Sequence, residues 1–80
     1  MDTYTLVKNR IISLCYEKRI TINKLAIDSG VAPSTIKNIL YGKSKNPGVV
    51  TLKMLCDGLS ISLTEFFSTE EFENLEQEIK

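Results

Sequence analysis

The chain has no histidine, and its 80 residues include only two cysteines, Cys15 and Cys56. Without histidine the usual general base near neutral pH is missing, and two thiols cannot complete a structural zinc site, which takes four ligands. No glycine-rich loop of the phosphate-cradling kind is present, and no nucleophile stands beside a plausible base. Neither an enzyme nor a metal or other cofactor is therefore expected. Also missing is any apolar run that approaches membrane-spanning length, and the opening MDTYTLVKNR is acidic and polar where a secretory signal is basic and then apolar. The expected location is the cytoplasm, with no membrane contact. Both cysteines lie inside apolar helical patterns and read as buried, reduced thiols, since a disulfide does not suit that compartment.

Net charge is absent as well, but the zero hides a division. Residues 1–56 carry nine Lys or Arg against three Asp or Glu, whereas residues 57–80 carry Lys80 against seven acidic residues. A basic body with an acidic tail is the kind of asymmetry associated with nucleic-acid binding, although each part could simply present a solvated face. A chain of this length makes one small unit that buries only about 60% of its unfolded surface.

The apolar residues recur at helical spacing. Tyr4, Val7, Ile11, Leu14 and Cys15 mark a first helix that starts with Asp2 or Thr3 as its cap and runs to about Lys18. Thr21 suits the cap of a second helix with Leu25 and Ala26 inward, but Lys24 stands where a full capping box has Glu or Gln. Gly30 offers a left-handed turn, Val31 fills the corner, and Pro33 suits a first helical position. In the third helix Ile36, Ile39 and Leu40 form an apolar back, while Ser34, Lys37, Asn38 and Tyr41 share the opposite face. GKSKNPG, residues 42–48, reads as a loop whose Gly48 caps a fourth helix with Leu52, Leu55, Cys56 and Leu59 inward. Two capping boxes follow, SLTE at Ser62–Glu65 and STEE at Ser68–Glu71. The first opens a short helix through Phe66 and Phe67. The second opens a terminal helix with Phe72, Leu75 and Ile79 along one side, too short to be stable alone unless that stripe docks on its own domain or on a second copy.

In order and spacing, RIISLCYEKRITINKLA, Gly30, Pro33 to Leu40, YGKSKNPG and SISLTEFF resemble the helix-turn-helix domain of the phage repressor and Cro family, also called the XRE family of bacterial transcription regulators. The resemblance covers Leu6 to Phe67. It implies an all-α, lambda-repressor-like bundle of five helices over residues 1–67, followed by a short acidic C-terminal helix in residues 68–80. It also implies sequence-specific binding of double-stranded DNA as a homodimer on an inverted repeat, with helix 3 in the major groove. Carried over by position, the base readers are Pro33, Ser34, Lys37 and Asn38. Backbone contacts fall to Asn23, Thr35, Tyr41, Lys43, Lys45 and Asn46. The chemistry of Asn, which can pair bidentately with adenine, and of Lys, which can reach guanine acceptors, fits this assignment.

Four positions depart from the family's pattern. Ile22 replaces a common phosphate-binding Gln. Cys15 and Leu40 replace an Arg and Glu pair, an apolar exchange that leaves no lone buried charge. Ser60 replaces a Gly after helix 4, and Ala32 leaves helix 3 without a side-chain cap. A competing reading is a protein-interaction module, such as an antitoxin-like subunit, that meets a partner through Phe72, Leu75 and Ile79 among the tail's glutamates.

Overall fold

In the computed structural model, which describes residues 1–79, Asp2 starts the longest helix by accepting a hydrogen bond from the Thr5 N–H at 2.8 Å. Hydrogen bonding with Thr5 also holds the Asp2 carboxyl below its usual range. Helix α1 is Thr3–Lys18, α2 Ile22–Ser29, α3 Pro33–Leu40, α4 Val49–Gly58, α5 Leu63–Phe67 and α6 Glu70–Glu73. No strand occurs among the described residues.

The caps explain most of these boundaries. Thr21 accepts from the Lys24 N–H and Ser62 from the Glu65 N–H, so each supplies one of the orphan donors at a helix start with a partner. Gly30 closes α2 with φ 72°, a left-handed conformation that glycine adopts without penalty. Pro33 opens α3, and Ala32 makes no side-chain cap. Gly48 precedes α4 in extended conformation.

Ser60 does take the left-handed backbone, at φ 60°, while its N–H bonds the Asp57 carbonyl and the Ile61 N–H bonds that of Cys56. Its β-carbon makes this conformation costly. Ser60→Gly should raise stability by about 0.5–1 kcal/mol, the strain removed less the backbone entropy that glycine brings. The check is a higher urea midpoint at unchanged slope. Arg19 ends α1 in the same way, at φ 54°.

The core runs through the middle of the bundle. Ile11, Leu25, Ile36, Leu55, Cys56 and Phe66 are fully enclosed, with Val7, Leu14, Ala26, Val31, Ile39, Leu52 and Leu59 around them. Leu6 joins the core although it lies outside the stripe expected for α1. Cys15 and Leu40, expected inward, are half-buried, because each sits at the margin of its helix's apolar arc. Cys56 is buried and both cysteines are free thiols, with burial pushing each thiol up and so keeping it protonated.

Gly58 ends α4 against the last turn of α2. A β-carbon there would stand 2.8 Å from the Ser29 Cβ and 2.9 Å from its backbone nitrogen, so this close approach depends on glycine.

The end of the chain differs from expectation. The cap of α6 is Thr69, which accepts from the Phe72 N–H at 3.3 Å, and not Ser68, whose backbone is used to close α5. The helix also stops at Glu73 and does not continue to Ile79. Beyond Phe72 little apolar surface docks to sustain a longer helix, since Leu75 is only half-buried and Ile79 is exposed. Phe72, Leu75 and Ile79 therefore do not form one helical stripe. Phe72 packs on the core at 4.9 Å from Phe67 and 6.2 Å from Phe66, Leu75 is half-buried, and Ile79 is exposed.

Candidate nucleic-acid interface

The third helix is held from behind by apolar contacts and one hydrogen bond. Ile36 and Ile39 are buried, and Tyr4 of α1 reaches across to donate its hydroxyl proton to the Ile39 carbonyl at 2.5 Å. A half-buried Tyr needs a partner for its hydroxyl, and here that need ties the end of α3 to α1. The stripe in α1 marks Tyr4 as a core residue, but nothing local names its partner 35 positions away.

The loop after α3 is anchored just as locally. Tyr41 closes the helix with its N–H on the Lys37 carbonyl, Gly42 turns at φ 86°, and the Ser44 N–H returns to the Asn38 carbonyl at 2.9 Å. The backbone of Asn38 is thus used in folding, and its side chain is left outside.

All ten residues singled out in the sequence are exposed: Pro33, Ser34, Thr35, Lys37 and Asn38 on α3, Asn23 on α2, and Tyr41, Lys43, Lys45 and Asn46 beyond α3. Among the described residues, none of their side chains makes an intramolecular hydrogen bond or ion pair. Their donors and acceptors are therefore available.

Three cations elsewhere are engaged within the chain. Lys24 pairs with Asp28 at 3.1 Å and Lys53 with Asp57, each one helical turn apart. Arg10 donates from Nε to the Phe66 carbonyl at 2.8 Å and from Nη2 to the Glu65 carbonyl at 3.0 Å, covering orphan acceptors at the end of α5. It is a structural clamp and not a free surface charge. Lys37, Lys43 and Lys45, by contrast, have no ion-pair partner among the described residues.

Ile22, at the family's frequent glutamine position, is half-buried against the core. An apolar side chain there leaves no donor for phosphate. Asn23 is the exposed polar residue next to it on α2. Together α2, the Gly30 turn and α3 make an exposed polar helix with a basic loop beside it, a shape and donor set suited to the major groove and its flanking phosphates.

The model of the Cro/C1-type helix-turn-helix DNA-binding domain matches residues 10–71, most of the chain. The chain belongs to this family. Outside the family model, the chain is 44% identical over 63 residues to the HTH-type transcriptional regulator SlrR of Bacillus subtilis strain 168. That match takes in 76% of this chain and 41% of SlrR, so the chain spans about two fifths of that regulator's length. Two crystal structures share the fold. Prophage Lp1 protein 11 superposes with a TM-score of 0.80 at 29% identity, over 94% of this chain and all of that one. The restriction-modification controller protein C.Esp1396I gives 0.79 at 25% identity, over 94% and 95% respectively. The matched family is one of DNA-binding domains, and the all-helical, lambda-repressor-like architecture is that of the chain's structural neighbours. No helix among the described residues is long and apolar enough to cross a membrane.

Proposed function

We propose that this chain regulates transcription by binding a specific operator as a homodimer, each subunit placing α3 in the major groove of one half of an inverted repeat. Repression is the expected effect. Pro33, Ser34, Lys37 and Asn38 face the base edges, and Asn23, Thr35, Tyr41, Lys43, Lys45 and Asn46 hold the phosphates on either side. The observation that carries this reading is the availability of those ten side chains on α2, on the loop after α3 and on α3 itself, whose back is locked into the core. SlrR, a transcription regulator by name, supports the regulatory part. The alternative of a protein-interaction tail gains nothing from Phe72, which is engaged inside its own domain.

The two kinds of contact should separate by mutation. Asn38→Ala is expected to cost about 1–3 kcal/mol and to relax preference at one base position. Lys45→Ala should weaken binding to specific and random DNA alike and lower the salt slope by about one. Affinities of both variants for an operator, its single-base variants and random duplex provide the check. Equal losses on every duplex for both variants would contradict the division of roles.

A further inference from the structure

The acidic segment that follows α6 returns to the N-terminal end of α1. The Thr3 hydroxyl donates to Glu78 Oε2 at 2.6 Å across 75 positions of sequence. Glu76, Gln77 and Glu78 line a groove with Met1 and Asp2. Glu78 also lines a cavity of about 540 Å³ together with Asp2, Lys45, Asn46, Pro47 and Phe67.

One carboxylate of the tail is therefore held at a cavity shared with the loop to which the phosphate contacts are assigned. None of the tail's glutamates has an ion-pair partner within 4 Å among the described residues, and neither has Lys45. Lys45 already acts on the Asp2 carboxyl, which lines the same cavity, so Glu78 adds a second acidic group beside that cation. DNA phosphate approaching Lys45 and Asn46 meets this negative charge, and like charges repel across a distance comparable with the Debye length of about 10 Å at 0.1 M salt.

We propose that residues 74–79 form an autoinhibitory strap: anchored by Thr3 through Glu78, it opposes DNA phosphate at the Lys45–Asn46 loop and must move aside or be neutralised for full affinity. This rests on the assignment of that loop to the DNA backbone. Anything that releases the strap raises affinity for all sequences without altering base preference, because the loop positions the domain while α3 reads.

The test compares Glu78→Gln, Thr3→Ala and Glu71→Gln in the full 80-residue chain, by binding to a random-sequence duplex and to a selected operator at 50 and 300 mM salt. Glu78→Gln removes the charge, and Thr3→Ala removes the anchor while leaving the charge. Glu71→Gln makes the same charge change in a different groove, one lined by Leu6, Asn9 and Arg10. The expected result is a gain of about two- to fivefold at 50 mM for the first two, the worth of one exposed ion pair. That gain shrinks at 300 mM and is equal on both duplexes, and Glu71→Gln gives none. Unchanged affinity in Thr3→Ala, or an equal gain in Glu71→Gln, would overturn the strap and leave DNA binding intact. Absence of salt-dependent DNA binding in every form would overturn the loop assignment and the strap with it.

Discussion

Phe66→Ala is expected to cost about 3–5 kcal/mol of folding stability. Phe66 is the largest fully buried side chain and lies edge-on to Phe67 at 4.9 Å, with Phe72 at 6.2 Å. Truncation removes the apolar transfer energy of a whole ring and leaves a cavity at the junction of α1, α4 and α5. It also loosens the helix whose end carbonyls receive Arg10. A domain of this length has about 4–12 kcal/mol to lose. The variant should therefore be unfolded or nearly so at physiological temperature, with lost helical circular dichroism and a much lower thermal midpoint. Phe66→Leu, which keeps much of the volume, should retain the fold with a smaller loss. A loss below about 1 kcal/mol in the Ala variant would mean that α5 is not part of the core that supports α3.

The second large effect is that of salt. If each subunit of the dimer neutralises about three phosphates, the logarithm of affinity falls against the logarithm of salt with a slope of about −5. Raising salt from 50 to 200 mM should then weaken operator binding by about 10³-fold. Of the cations without an ion-pair partner among the described residues, Lys43 and Lys45 lie on the loop assigned to phosphate, whereas Lys24, Lys53 and Arg10 are bound within the chain. Alanine at Lys43 and Lys45 together should flatten the slope, and alanine at Lys53 should not. Titration of a labelled duplex at several salt concentrations measures both. An affinity indifferent to salt would remove phosphate contact from the account.

The helices themselves were legible because their signals are local. Asp2, Thr21 and Ser62 have short oxygen-bearing side chains before an apolar pattern, and each accepts from a backbone N–H three residues on. Gly30 and Pro33 punctuate the turn for equally local reasons. The back of α3 followed from the spacing of Ile36 and Ile39, and with it which side chains face outward.

What was not legible depends on distant contacts or on a close choice between neighbours. Ser68 and Thr69 can both cap a helix, and the decision falls to Thr69 because Ser68 is needed to end α5. STEE looks like a start signal for a helix through Ile79, but a start signal does not supply the docking that a longer helix needs, and the chain leaves the helix after Glu73. Arg10 looks like a solvated charge until α5 is brought to it from 55 and 56 residues away. The return of Glu78 to Thr3 belongs to the same class.

The claim on which the rest depends is that α3 and its loop read double-stranded DNA in sequence. It is tested most directly by selecting bound fragments from a random duplex pool at near-physiological salt with the full chain, then with Asn38→Ala. The account predicts enrichment of an inverted repeat whose half-sites lie about one DNA turn, roughly 34 Å, apart, with one symmetric base position losing its preference in the variant. A pool that emerges without a shared sequence, or a motif unchanged by Asn38→Ala, would contradict it.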